Sequence, residues 1–245
     1  MLRNISIKEL YVLALAEGEG VGTAYEYFAK RLTLGRWLKG QKRPFSILIA
    51  GLPQKYGTSL DFLQLADELG AAVTIADERP FSLKKLHNAL KSAQKEGWLT
   101  AVSPTLIPVE KMAELDGVNG RFDLCISSEV VQRLAENERE GYLARLTELS
   151  NSIALFMPNG DNSAHTDISG LSGLRLDELQ TLAQTCKLAN LQTDYIDMPP
   201  FPPGITRSED QREQATSGKS EALAMWGLAL PPLLLSLISM MAPIL

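Results

Sequence analysis

Two places in the chain put carboxylates or an imidazole where they can meet a small molecule. The first is Asp77, which ends the apolar run "AAVTIAD" and is followed by Glu78. A carboxylate just past a buried strand offers two acceptor oxygens in a fork, an arrangement that takes both hydroxyls of a ribose, although a surface Asp at a strand end is the plainer reading. Glu78 is a neighbour that can substitute for it. The second is the stretch "MPNGDNSAHTDISG", with Asp161, His165 and Asp167 among turn formers. An unperturbed imidazole has its pKa near neutrality, so His165 suits a general base with Asp161; the plainer reading is a polar loop. His87 belongs to an amphipathic stretch and reads as a face residue.

The elements that must position these residues follow from the apolar pattern. "ILIAGLPQKYGTS", Ile47 to Ser59, reads as a buried strand ending at Gly51 and a turn of the kind that receives a ligand. "SLDFLQLADELG" and "SLKKLHNALKSAQKEG" are amphipathic helices closed by Gly70 and Gly97. Further strands are expected at "WLTAVSPTLIPV", "FDLCISS", "SIALFMP" and "LQTDYIDM". Helices are expected at "VEKMAEL", "EVVQRLAENEREGYLARLTELS" and "LRLDELQTLAQTCKL". Strands alternating with helices need crossover connections, so the fold class is α/β: a Rossmann-like, mostly parallel sheet with helices on both faces. Ligands bind such sheets outside the carboxyl ends of the strands.

Residues 1–45 form a helical segment, in which Tyr25, Phe28, Leu32 and Trp37 recur at roughly helical intervals and Tyr27 joins them as core or cap. The apolar "LYVLALA" within it reads as part of an amphipathic helix, with a signal peptide as the alternative. The α/β domain occupies 46–205 and ends in the proline-rich "MPPFPPG", a rigid lid or a pin for the domain's end. A polar linker covers 206–221. Residues 222–245, "ALAMWGLALPPLLLSLISMMAPIL", hold no charge, and about 20 apolar residues span the hydrocarbon layer. A transmembrane helix is expected there, with a packed core helix as the alternative. With Leu245 at its end, the span is expected to be a tail anchor that would leave the folded part on the side of its synthesis, most simply the cytoplasm.

Composition limits the partners. The chain is 45% hydrophobic and 22% charged, with a net charge of -5, and its lysines and arginines are dispersed, so no nucleic-acid footprint is expected. Two cysteines, Cys125 and Cys186, and two histidines argue against a Cys/His metal site.

The order of these elements resembles that of the class I S-adenosylmethionine-dependent methyltransferases. The likeness is carried by "ELGAAVTIADERP" for the second strand, "GRFDLCISSEVVQRL" for the fourth, and "ALFMPNG" with "GLRLDELQTLAQTCKL" for the fifth strand and its helix. It covers roughly residues 20 to 200. The resemblance implies that Gly51 lies under the methionine end of the cofactor, that Asp77 takes the ribose and that Glu110 sits near the adenine. It also implies that Ser127, Ser128 and Glu129 line the site, and it puts Arg133 where a histidine is frequent.

Three residues depart from the family's loop. Ile49 stands where an acid anchors the cofactor's ammonium. Pro53 and Lys55 stand at or near positions where glycines are expected, unless a longer loop lets Gly57 serve; Pro53 has no N–H to give, and Lys55, unless it points outward, adds a cation close to the sulfonium and ammonium positions. Two functions fit this sequence. One is a tail-anchored methyltransferase acting on a small or membrane-associated acceptor. The other is a non-catalytic, methyltransferase-like accessory subunit of a membrane protein complex.

Overall fold

A computed structural model of the chain describes residues 5–54, 57–162, 170–193 and 195–196. Two helices open the fold, α1 (Ile7–Ala16) and α2 (Val21–Leu38). Ser6 caps α1 by accepting the Glu9 N–H at 3.3 Å, and the Glu9 carboxylate accepts the Ser6 N–H at 2.9 Å, which satisfies two orphan donors reciprocally. Strands and helices then alternate as β1 (Ser46–Ala50), α3 (Leu60–Leu69), β2 (Ala72–Asp77), α4 (Pro80–Lys95), β3 (Thr105–Pro108) and β4 (Leu124–Ser128). A short 3-10 turn (Val131–Arg133) precedes α5 (Glu136–Leu149), β5 (Ile153–Phe156) and α6 (Leu176–Thr185).

The five strands pair in the order β3-β2-β1-β4-β5, and every pairing is parallel. Chain order runs outward from β1 to β3 and then crosses to β4 on the other side. The switch point therefore lies between the carboxyl ends of β1 and β4, beside Gly51 and Ser128. Alternation along the strands divides the core in two. Ile47, Ile49, Val73, Ile75, Leu124 and Ile126 pack with Leu10, Leu13, Tyr27, Phe62, Leu63 and Leu86 of α1 to α4. Leu48, Ala50, Ala76 and Cys125 face the other way, onto Val130, Tyr142, Leu143 and Leu146. Helices thus cover both faces, as the sequence pattern requires, and α1–α2 share the first core.

Several elements differ from expectation. Val109–Leu115 runs through turns, not a helix: the Asp116 carboxylate accepts the Glu110 and Lys111 N–H groups at 3.1 Å, and Leu115 takes φ 47°. The helix expected from Glu129 is broken, because Glu129 is left-handed at φ 58° and Leu134 is extended. Residues 191–193 and 195–196 form no strand. The third strand shortens to Thr105–Pro108. Helix α2 buries Thr23, Ala24, Tyr27, Lys30, Arg31 and Leu34, whereas Leu32 is exposed. Among the described residues no helix is long and apolar enough to cross a membrane. The segment 222–245, the linker 206–221, the proline-rich stretch from 198 to 204, Lys55 and His165 lie outside the described residues.

Candidate functional site

The switch point gathers the carboxyl ends of β1, β2 and β4. Asp77 closes β2 with no exposure at all, and its carboxylate is surrounded by donors of the chain itself. Oδ2 accepts the Leu52 N–H at 2.7 Å and Arg79 Nη2 at 2.8 Å, with Arg133 Nη2 at 3.4 Å. Oδ1 accepts the Arg79 N–H at 2.8 Å and Arg79 Nε at 2.9 Å. A carboxylate has about four acceptor positions, so these five donors leave none for a diol. Burial by itself would raise the Asp77 carboxyl. The Arg79 hydrogen bonds, the Leu52 N–H and the charges of Arg79 and Arg133 outweigh it and hold the carboxyl below its ordinary range.

The same arginines close the loop after β1. Arg79 Nη2 donates to the Leu52 carbonyl at 2.7 Å, and Arg133 Nη1 donates to it at 3.1 Å. Gly51 needs its φ of 85°, and a Cβ there would collide with Val130 Cγ2 and lie 3.5 Å from Met112 Cε. The missing side chain therefore admits Val130. Gly57 follows the same logic with φ 71°, since its Cβ would collide with the Tyr27 hydroxyl. Ile49 is fully buried in the first core.

At the end of β4 the hydroxyls part. Ser127 Oγ and the Tyr142 hydroxyl lie 2.8 Å apart, and that hydroxyl donates to the Ala50 carbonyl at 2.8 Å. Ser128 Oγ accepts Lys30 Nζ at 3.0 Å. The Lys30 ammonium reaches in from α2, pairs with Glu26, and lies 5.9 Å from the Phe62 ring centroid and 5.8 Å from that of Phe156. Its burial disfavours the charge, yet Glu26, Asp61 and Glu129 more than compensate and raise its pKa. Glu129 accepts the Gln54 N–H at 3.1 Å, and burial lifts its carboxyl to about 7.

Glu17, just past α1, completes the cluster. Its carboxylate accepts Thr58 Oγ1 and the Leu60 N–H, both at 2.9 Å, as well as the Tyr27 hydroxyl. It thereby places a carboxylate on the first turn of α3, where the helix dipole favours one. Burial pushes Glu17 up to about 7, and Asp61 likewise, with Lys30 pulling Asp61 down.

The structure thus brings Gly51, Asp77, Ser127, Ser128 and Glu129 to one place. Glu78 lies at its edge, where Oε2 accepts the Met112 N–H at 3.0 Å and Oε1 is 3.7 Å from Arg133. Glu110 is exposed on the bend after β3, where its N–H donates to the Asp116 carboxylate. Asp161 is exposed after β5, with its carboxylate 3.5 Å from Arg175 and 3.4 Å from the Tyr195 hydroxyl. No group of His, Cys, Asp and Glu that could hold a metal occurs among the described residues. Arg79, Lys30, Glu17 and Val130 fill the site without having been singled out in sequence. Only Arg79 carried a signal there, a cation two residues beyond Asp77 at a helix start.

Neither a family model nor a curated protein sequence matches the chain. Solved structures do. The N-methyltransferase NodS from Bradyrhizobium japonicum WM9, in complex with S-adenosyl-L-homocysteine, is 12% identical over 82% of this chain and 93% of its own, with TM-score 0.48. The Burkholderia thailandensis 1,6-didemethyltoxoflavin-N1-methyltransferase, with bound 1,6-didemethyltoxoflavin and S-adenosylhomocysteine, is 17% identical over 70% of this chain and 72% of its own, with TM-score 0.47. TehB from Haemophilus influenzae is 19% identical over 49% of this chain, with TM-score 0.36, and the match spans 36% of TehB's length. At these identities and TM-scores the matches are a partial likeness of fold and carry nothing about what this chain binds or does.

Proposed function

We propose that this chain is a non-catalytic, methyltransferase-like protein that has replaced a bound cofactor with its own side chains and serves as an accessory subunit at a membrane. The observation that carries the reading is the Asp77 carboxylate, whose acceptor positions are taken by Leu52, Arg79 and Arg133. The residues present do not fit S-adenosylmethionine. Asp77 has no acceptor left for the ribose, Val130 fills the space over Gly51, and Ile49 offers the ammonium no acid. Lys30 puts a fixed positive charge beside Ser128, where it opposes a sulfonium. The catalytic reading, with His165 and Asp161 serving a small or membrane-associated acceptor, requires both arginines to leave Asp77.

Membrane attachment through 222–245, with the folded part facing the cytoplasm, is supported by the uncharged composition of that stretch and the polar linker before it. Fractionation tests it: removal of 222–245 should release the protein from membranes, and a soluble full-length chain contradicts it. Thermal denaturation of the full chain tests the rest. A ligand at a hundred times its Kd stabilises by about 2.7 kcal/mol, which is several degrees in Tm. Saturating S-adenosylmethionine should leave Tm unchanged; a rise of several degrees contradicts the reading.

A further inference from the structure

Helix α4 carries Lys84, Lys85, Lys91 and Lys95 and no Asp or Glu, although the chain has 29 acidic residues against 24 basic ones. At 100° per residue, Phe81, Lys84, Asn88, Lys91, Ser92 and Lys95 fall on one stripe, and all six are exposed. The opposite stripe, Leu83, Leu86, Ala89, Leu90 and Ala93, is buried in the core. Lys85 turns aside towards Glu19, 3.7 Å away, whereas Lys84, Lys91 and Lys95 make no ion pair among the described residues. Of the flanking carboxylates, Glu78 is engaged by Met112 and Arg133, and Glu96 stands exposed beyond Lys95. Phe81 is 77% exposed, more than any other large apolar residue among the described ones.

From this we infer that the outer face of α4 docks on a bilayer carrying anionic headgroups, with the three lysines over the phosphates and Phe81 entering the interface. An ordinary solvated helix face mixes both signs of charge and keeps aromatic rings out of water, and this stripe does neither. A nucleic acid would need a broader basic surface than one helix on a chain of net charge -5. A bilayer needs only this much: each lysine near an anionic surface contributes modestly, and a tethering segment raises the effective concentration of the face. The inference rests on the proposed attachment through 222–245 only in preferring a bilayer to an acidic protein, and it is independent of the state of Asp77.

The test uses the full chain bound to vesicles, with an environment-sensitive fluorophore on Asn88→Cys in a Cys186→Ser background, where Cys125 stays fully buried. On vesicles of one-third phosphatidylserine the emission should shift to the blue. On pure phosphatidylcholine it should not, and added salt should reverse the shift. Lys84→Glu, Lys91→Glu and Lys95→Glu together should abolish the shift and weaken docking on the order of a hundredfold, with Tm unchanged because all three side chains are exposed. An equal response on both lipids, or none on either, overturns the inference. A shift produced by soluble polyglutamate and not by anionic vesicles overturns it too, in favour of an acidic protein partner. Cofactor binding to the wild-type chain would remove the non-catalytic reading and leave this inference standing.

Discussion

Arg79 grips the carboxylate of Asp77, two residues before it, with its backbone N–H, Nε and Nη2, all between 2.8 and 2.9 Å. Asp77 is fully buried and the Arg79 side chain is 28% exposed, so the acid has little water to fall back on. Arg79→Ala leaves Arg133 at 3.4 Å as the remaining guanidinium on Asp77. The change should cost about 2–4 kcal/mol in urea unfolding, because breaking a buried pair leaves an uncompensated charge. The folded-state pKa of Asp77 is lowered, so its contribution is present above the ordinary carboxylate range and is lost as pH falls through the lowered value. The gap between wild type and Arg79→Ala should therefore be constant around neutrality and shrink only in strong acid.

Gly51 is predicted to serve packing. With φ 85° and Val130 Cγ2 in the place of a Cβ, Gly51→Ala should destabilise by about 2–3 kcal/mol. Combining it with Val130→Ala should recover the steric part and leave about 1 kcal/mol of backbone strain. A double-mutant cycle in urea measures this coupling; strict additivity would mean that Val130 is not what the glycine accommodates.

The cluster of Glu17, Asp61 and Glu129 predicts an inverted pH dependence. Burial raises all three carboxyls to about 7 in the folded chain. A raised folded pKa contributes stability that is whole below the unfolded value and is lost as pH rises through the folded one. Tm should therefore fall between about pH 4.5 and 7 and level off above. Glu17→Gln keeps an oxygen for the Leu60 N–H and should flatten part of that slope; an unchanged slope would exclude Glu17 from it.

Lys30 is the cation that faces Asp61 and Glu129 in this cluster. Lys30→Met keeps the stem and removes the ammonium from Ser128, Glu26 and the rings of Phe62 and Phe156. The loss should be about 3–5 kcal/mol above pH 8 and smaller at pH 5, where protonated neighbours no longer need the cation. Equal losses at both pH values would mean that Lys30 acts by packing alone.

The sheet was legible because its strands are short apolar runs separated by helices of crossover length, and β1, β2, β4 and β5 stand where those runs predict. The face of α2 was not. Tyr25, Phe28, Leu32 and Trp37 mark an apolar stripe, but the buried stripe carries Lys30 and Arg31, whose charges are met by Glu26 and Glu68 from α2 and α3. Periodicity of apolar residues cannot find a face that is polar and paired. Asp77 was legible as a strand-end acid for the same local reason. Its partners were not, because Arg133 arrives from beyond β4 and Leu52 turns its N–H inward only once Gly51 adopts φ 85°. The breaks at Leu115 and Glu129 rest on left-handed non-glycine residues, which no propensity announces.

In this fold the chain's own donors occupy the acceptor positions of Asp77. Isothermal titration of S-adenosylhomocysteine into the full chain, in parallel with Arg79→Ala, tests it most directly. The wild type should give no saturable heat at millimolar ligand. Stoichiometric binding by the wild type, with a Kd in the micromolar range and a heat that Asp77→Asn abolishes, would contradict it.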